Sequence, residues 1–200
     1  MSVPLHVVAA TTNSHKLNEM AAVLQGVVLI DPRPDSVGEV VEDADDFEGN
    51  ARLKAYAIRS ACQRHALADD SGLVVVALGG EPGVYSSRYA GAEASDEENY
   101  VRLLERMADV DEDHRQAKFV TVAVLAFDDG SEVVAEGSVE GTLTTAPRGS
   151  LGFGYDPIFV PRDGDGRTFA EMTAAEKNEI SHRGRAMVSL KLALAQLRGD

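Results

Sequence analysis

Ala66-Leu67-Ala68-Asp69-Asp70-Ser71-Gly72-Leu73-Val74-Val75-Val76, near the middle of the chain, contains two adjacent aspartates. Two apolar runs of strand length flank the adjacent carboxylates, and this pattern predicts two buried strands with the pair at a strand end or tight turn. Adjacent anions near a core repel each other and lose hydration, and a bound Mg²⁺ or Mn²⁺ would relieve both costs. Asp, Ser and Gly also form solvated turns, so a cation site and a plain turn both stay open.

The composition argues against several classes of protein. With 19 basic and 33 acidic residues, the chain has a formal charge of −14, which opposes binding to nucleic acid and to anionic membranes. An anionic substrate would therefore need a local cationic pocket or a metal ion. The single cysteine, Cys62, cannot form an intrachain disulfide, which fits a reducing cytoplasm. The N-terminus lacks a signal-peptide pattern, and every apolar run is far shorter than the ~20 residues of a membrane helix.

Strand-like and helix-like segments are interleaved along the chain. Leu5–Ala10 is an apolar run of strand length, and His15–Leu24 has the spacing of an amphipathic helix. Phe119–Phe127 and Glu132–Val139, separated by a turn sequence, form the clearest predicted hairpin. The sequence therefore predicts one α/β domain over residues 1–200, with a mixed sheet.

Basic residues stand at several predicted helix entrances. Lys16 falls in the first turn of the helix that follows Thr11–Ser14, and His182 and Arg183 fall in the first turn of the last helix. A cation there opposes the helix dipole, and the free N–H groups of such an entrance bind anions. Together with Lys177, these residues have the parts of a polyphosphate clamp. The competing interpretation is a set of exposed cations with a small energetic cost.

Two side chains of the second predicted helix are unusual. This helix starts at Asp45 or Asp46 and runs through Gln63. Lys54 lies on or beside its apolar stripe, which snorkelling commonly explains, and Asn50 is a poor helix former in its interior. The acidic run before the helix is typical of a solvated segment, although one of its carboxylates could reach a metal.

Phe153 lies between two glycines in the stretch Ser150–Phe159. The glycines leave the backbone free to expose the ring, and an exposed ring can stack on a flat ligand such as a base. The alternative is an ordinary core aromatic residue, because aromatic side chains usually pack inside.

Five stretches, taken together and in this order, resemble the inosine triphosphate pyrophosphatase family, whose members hydrolyse non-canonical purine nucleoside triphosphates. The stretches are Ala10–Lys16, Phe47–Ala55, Ala68–Leu73 with Gly79–Gly91, Gly152–Phe159, and Thr168–Met172 with Glu176–Asn178 and Ile180–Arg183. One such stretch would be weak support, whereas five in the family's order across nearly the whole chain are specific.

This resemblance implies a homodimeric α/β fold with an elongated mixed β-sheet flanked by helices, and two lobes around an active-site cleft. It implies cytoplasmic hydrolysis of ITP, dITP and XTP to the monophosphate and pyrophosphate, with Mg²⁺ as cofactor and Mn²⁺ as a substitute. Deaminated purines would thereby be removed before they enter DNA or RNA. Two alternatives stay open: a pyrophosphatase for other modified nucleotides, and a nucleotide-binding sensor with weak catalysis.

The resemblance also implies roles for individual residues. Asp70 would be the catalytic proton acceptor and a metal ligand, with Glu42 and Asp69 as further metal ligands. The predicted substrate-binding residues are Thr11, Thr12, Asn13, Ser14, His15, Lys16, Lys54, Ser71, Phe153, Gly154, Tyr155, Asp156, Lys177, His182 and Arg183. Within this set, the residues from Thr11 to Lys16 would grip the phosphates, and Phe153 would stack on the base.

Two positions depart from the family's pattern. Gly49 stands where the family usually has Glu, and Glu42, Glu48 and Asp69 are the alternatives for completing the metal site. Thr12 replaces a frequent glycine in a loop expected to pass close to phosphate, so that loop would have to adjust.

Overall fold

The computed structural model describes residues 3–199. Strands and helices alternate along this part of the chain. The strands are β1 (Leu5–Ala9), β2 (Val28–Asp31), β3 (Ala66–Val75), β4 (Gln116–Ala126), β5 (Glu132–Leu143) and β6 (Phe159–Pro161). The α-helices are α1 (Ser14–Leu24), α2 (Phe47–Cys62), α3 (Asp96–Arg106), α4 (Ala174–Ile180) and α5 (His182–Arg198). Within residues 3–199, no helix has the length and apolar character needed to span a membrane.

The six strands form one mixed sheet in the order β2-β1-β3-β4-β5-β6. β1 runs parallel to both β2 and β3, whereas β5 runs antiparallel to β6, with Gly141 opposite Pro161. β4 and β5 are neighbours, and the turn between them is closed by the Phe127 N–H, which donates to the carbonyl of Ser131. The predictions of a mixed sheet and of this hairpin are confirmed.

β3 differs from the sequence prediction. It is a single strand of 10 residues, and Asp69 and Asp70 lie inside it rather than at a strand end or turn. The prediction was wrong because each buried carboxylate is paired with a cationic side chain, so the strand does not have to end where the charges are. The chain turns later, at a short 3-10 helix that ends at Gly79, whose φ is +64°.

Contacts within the chain divide it into two compact units. Unit 1 comprises the chain up to Asp70, Thr121–Gly137, and the chain from Arg183 onward. In this unit, Leu67 packs with Met20 of α1 and Met187 of α5, whereas Ala68 packs with Ile58 of α2. Because successive strand residues point to opposite faces, α1 and α5 cover one face of these strands and α2 covers the other.

Unit 2 comprises Ser71–Val120 and Ser138–His182. Its core contains Phe119, Phe159 and Phe169, and the rings of the first two meet edge to face with centroids 4.7 Å apart. The organisation of residues 1–200 as one domain stays a prediction.

Gly141 provides a test of the β5–β6 pairing. A Cβ at this position would lie 2.2 Å from the carbonyl oxygen of Val160, so Gly141→Ala is expected to lower the free energy of unfolding by about 1–3 kcal/mol. Gly38→Ala is the control, because its Cβ would meet nothing within 4 Å. Urea unfolding measures both variants, and equal stabilities would contradict the close approach of β6 to Gly141.

Candidate active site

Asp69 and Asp70 are the two buried carboxylates of β3, with only 3% and 7% of their surface exposed. As consecutive residues of a strand, they point to opposite faces. Their partners agree with this geometry, because Asp69 contacts Lys16 of α1 whereas Asp70 contacts Lys54 of α2. The two adjacent anions therefore occupy separate environments within unit 1, and each has its own cation.

Asp70 lies in a small polar group on the α2 face. The Lys54 Nζ atom is 2.9 Å from Oδ1 of Asp70 and 2.8 Å from Oε2 of Glu42, so one ammonium joins two carboxylates. The Asn50 side-chain amide donates to Oδ2 of Asp70 over 3.4 Å. Asn50 and Lys54 are four residues apart and thus lie on the same face of the helix. One helix face therefore supplies partners for both oxygens of Asp70.

The electrostatics of this group favour a basic carboxylate. Burial raises the pKa of Asp70, and the positive charge of Lys54 opposes that shift without cancelling it. Burial alone would lower the pKa of Lys54, but the charges of Asp70, Asp69 and Glu42 outweigh it together, and the net shift is upward. Lys54 therefore stays an ammonium, while Asp70 binds a proton more readily than an exposed aspartate does.

Glu48 and Glu42, two of the alternatives for the missing glutamate, have different partners. Glu48 forms an ion pair with Arg52 at 2.8 Å, and Arg52 also pairs with Glu132. Glu42, by contrast, shares the Lys54 ammonium with Asp70. A Cβ at Gly49 would lie 2.6 Å from the Cβ of Ala44, so this glycine allows the segment before α2 to pack closely on the helix.

Asp69 belongs to a chain of charges on the opposite face. Its Oδ2 atom lies 3.2 Å from Lys16 Nζ and 3.2 Å from Arg183 Nε. Arg183 also donates to Glu19 over 2.5 Å, and its side chain is almost fully buried. Burial lowers the pKa of Lys16, although the negative charge of Asp69 opposes that shift. Asp69 thus connects α1 and α5 to β3.

The entrance of α1 is capped by Asn13. Its side-chain oxygen accepts hydrogen bonds from the backbone N–H groups of His15 and Lys16, at 2.9 Å and 3.2 Å. Thr11 in turn accepts from the N–H of Asn13, and the residues from Thr12 to His15 are exposed. A phosphate bound at this helix entrance would have to replace or share the Asn13 cap.

Unit 2 contains a second polar group, built around Asp156 and Lys177. These side chains form a buried ion pair at 2.6 Å, and Asp156 also accepts from the backbone N–H of Phe153. The ammonium of Lys177 lies 4.6 Å from the centroid of the half-buried Phe153 ring. Gly152 has a φ of +75°, and a Cβ there would lie 2.1 Å from Asp156 Oδ2, so glycine is required beside this ion pair. Phe153 is therefore neither fully exposed nor a core residue.

The other predicted site residues of unit 2 make contacts outside the Asp156–Lys177 ion pair. The Tyr155 hydroxyl donates to the carbonyl of Ser86 in the core, and burial raises the pKa of Tyr155. The backbone N–H of Gly154 donates to Asp96. His182 is buried and stacks on Phe119, with centroids 4.5 Å apart and planes 8° from parallel. Ser71, the residue after Asp70, is half-buried in β3.

The structure pairs Lys16, Lys177 and Arg183, three of the expected phosphate-clamp residues, with carboxylates. Lys177 is held by Asp156, and Arg183 by Asp69 and Glu19. Their role in binding phosphate stays a prediction, and it requires these ion pairs to open or to share their cations with the substrate.

The predicted metal ligands are only partly brought together. Glu42 and Asp70 meet at Lys54, whereas Asp69 points to the other face of β3. Within residues 3–199, no three His, Cys, Asp or Glu side chains are grouped closely enough to hold a metal by themselves. A metal at Glu42 and Asp70 would therefore need ligands other than a third side chain of these types.

Two residues of the charge network were absent from the predicted site. Glu19 follows Lys16 by three residues on α1 and anchors Arg183, and Asn50 precedes Lys54 by four residues on α2 and contacts Asp70. Helical spacing from a predicted lysine would have identified both, since residues three and four apart share a helix face.

Comparisons with known proteins agree over nearly the whole chain. The model of the Ham1 family matches residues 7–193. A Streptomyces coelicolor protein named dITP/XTP pyrophosphatase is 44% identical over 198 residues, covering 96% of this chain and 98% of the relative. A Thermus thermophilus protein of the same name is 49% identical over 189 residues, covering 93% of this chain and 90% of the relative.

Solved structures show the same likeness. The HAM1 protein of Coxiella burnetii superposes with a TM-score of 0.87 at 40% identity, covering 96% of this chain and 99% of that one. A Mycobacterium abscessus structure described as a nucleoside-triphosphatase, or dITP/XTP pyrophosphatase, has a TM-score of 0.73 at 40% identity, covering 93% of this chain and 97% of that one. By family model, sequence identity and structure, the chain belongs to the Ham1 family.

Proposed function

We propose that this protein hydrolyses dITP, XTP and ITP to the nucleoside monophosphate and pyrophosphate. The observation that carries the proposal is the buried Asp70 beside Lys54 and Glu42, in a chain of the Ham1 family. The names of the relatives support the choice of substrate, since proteins up to 49% identical are called dITP/XTP pyrophosphatases. Removing deaminated purine nucleotides from the nucleotide pool would be the cellular role.

Glu42 and Asp70 are the proposed metal ligands. Their oxygens lie 2.8 Å and 2.9 Å from the same ammonium, so the pair already surrounds one cation, and carboxylate oxygens suit Mg²⁺ or Mn²⁺. Two carboxylates suffice in number, because protein sites for magnesium commonly add substrate phosphates and water. When bound, such a cation would polarise the phosphate and neutralise its charge. Lys54 would then be released to turn toward the phosphate oxygens.

Asp70 is the proposed general base. A water oxygen attacks the α-phosphorus while Asp70 accepts a proton from that water. The bond from the α-phosphorus to the oxygen that bridges to the β-phosphorus breaks, and pyrophosphate leaves. The position of Asp70 supports this role, because it is buried in the same polar group as Lys54 and Glu42.

We assign phosphate binding to cations and N–H donors of unit 1, and we retain Phe153 as the residue proposed to stack on the base. Lys16, Lys54 and the entrance of α1 supply positive charge and N–H donors for the triphosphate. Phe153 offers a half-buried ring, and Lys177 lies against it. Groups that donate to the 6-oxo oxygen would be left unpaired by a 6-amino purine, which is the proposed basis for rejecting ATP.

The rival functions gain no support. Gly49 was the reason to consider a weakly catalytic sensor, but Glu42 supplies a second carboxylate beside Lys54 and Asp70. The names of the relatives cited refer to dITP and XTP and not to a modified pyrimidine. We extend the proposal to a cytoplasmic homodimer, on the strength of the family resemblance and of the single cysteine. Light scattering measures the oligomeric state.

A substrate panel tests the function. The protein is incubated with Mg²⁺ and ITP, dITP, XTP, GTP, ATP or modified pyrimidine triphosphates, and the products are identified by chromatography. Pyrophosphate and monophosphate from the deaminated purines alone are the expected result. Release of orthophosphate with a diphosphate would overturn the proposed bond cleavage, and binding without products would favour a sensor.

Asp70→Asn is expected to reduce kcat by about 100-fold or more, because the amide cannot accept the proton from water. KM should change much less, since phosphate and base contacts come from other residues. Steady-state kinetics with ITP measures both constants. A kcat within a few-fold of the wild-type value would contradict the assignment of Asp70 as the general base.

Glu42→Gln separates the proposed metal ligand from its neighbours. We expect a higher Mg²⁺ concentration for half-maximal rate and a lower kcat, because one of the two carboxylates around the cation is lost. Glu48→Gln is the matched control, since Glu48 pairs with Arg52 instead, and should behave like the wild type. A Mg²⁺ titration of the rate compares the two variants. A weaker Mg²⁺ dependence defect in Glu42→Gln than in Glu48→Gln would identify Glu48 as the metal ligand instead.

A further inference from the structure

Asn50 is a buried polar residue to which the proposed reaction assigns no role. It lies in the first turn of α2, which begins at Phe47, and only 1% of its surface is exposed. A side-chain amide that is removed from water needs partners for both its oxygen and its nitrogen. The partners of Asn50 therefore indicate what the residue is for.

The oxygen of Asn50 binds the acidic segment that precedes α2. It accepts a hydrogen bond from the backbone N–H of Ala44 over 3.0 Å. Ala44 is two residues from Glu42, whose carboxylate is held by Lys54 one helical turn further on. The segment is thus attached to α2 at two points, one through its backbone and one through the Glu42 side chain.

The nitrogen of Asn50 contacts Asp70. Its distance to Oδ2 is 3.4 Å, long for a hydrogen bond, while Lys54 is at 2.9 Å from the other oxygen. The two oxygens therefore differ, because one faces an ammonium and the other a neutral, weakly bound donor. Such a donor fixes the plane of the carboxylate.

We propose that Asn50 is a positioning residue, which orients Asp70 and holds the Glu42 segment against α2 at the same time. The catalytic half of this inference, the orientation of Asp70, rests on the proposed function. Its structural half, the attachment of Ala44, stands independently of any activity. Asn50 would thereby fix the distance between the base and the second carboxylate, and small errors in such distances reduce turnover strongly.

Two variants separate the two contacts. Asn50→Leu removes both, so hydrogen exchange of the Ala44 amide should accelerate by about tenfold or more and kcat should fall by about 10- to 100-fold. Asn50→Asp keeps an oxygen for Ala44 and places an anion beside Asp70. Its Ala44 amide should stay protected, while kcat still falls. KM for ITP should change by less than about threefold in both, because neither contact involves the phosphate or base groups.

Asn99 supplies a matched control for the loss of stability. It is a buried asparagine of α3 in unit 2 that also clamps a loop, accepting from Ala90 N–H at 2.9 Å and donating to the Ser87 carbonyl at 3.2 Å. Asn99→Leu should therefore lower the thermal midpoint to a similar extent as Asn50→Leu, yet leave kcat per folded molecule unchanged.

Each outcome decides for or against the proposal. An unchanged kcat in Asn50→Asp, or an equal loss of kcat in Asn99→Leu, would overturn the catalytic half. An Ala44 amide that exchanges in the wild type as fast as its exposed neighbours would overturn the structural half, even if no variant folds. Failure of the proposed function would instead appear as a wild-type protein that releases no pyrophosphate, and the exchange data would still test the Ala44 attachment.

Discussion

Burial of two consecutive carboxylates inside one strand is the constraint on which unit 1 depends. Leaving a buried carboxylate without its partner costs about 3–5 kcal/mol, a large share of the stability of a domain. Strand geometry sends Asp69 and Asp70 to opposite faces, so one cation cannot serve both. Each helical layer must therefore supply a cation of its own. Lys16 of α1 pairs with Asp69, and Lys54 of α2 pairs with Asp70. The helices are fixed on β3 by charge as well as by apolar packing.

The same constraint gives the two aspartates different chemistry. Asp69 accepts from both Lys16 and Arg183, which ties α1 and α5 to the strand. Asp70 has one ammonium and one neutral amide, and its pKa is raised by burial. A carboxylate with fewer cationic partners keeps more of its basicity. Identical side chains at neighbouring positions thus become an electrostatic anchor and a candidate base.

The sequence predicted what short-range physics controls. Periodicity and turn signals predicted α1, α2, α5, the hairpin and the mixed nature of the sheet. Turn propensity misjudged the Asp69–Asp70 pair, because the charges that keep it inside the strand come from residues as distant as Arg183, 114 positions along the chain. The sequence marked Asn50 and Lys54 as anomalous in a helix, but only the fold shows that both contact Asp70.

Gly49, where this chain departs from the family's pattern, allows the segment before α2 to pack closely on the helix. The absent glutamate side chain leaves room for the segment at Ala44, whose Cβ would lie only 2.6 Å from a Cβ at position 49. Close packing of this segment allows the Ala44 backbone to reach Asn50 and Glu42 to reach Lys54. A side chain at position 49 would displace the segment, and with it the carboxylate of Glu42. The glycine is therefore part of the arrangement that brings Glu42 to the Lys54 ammonium beside Asp70.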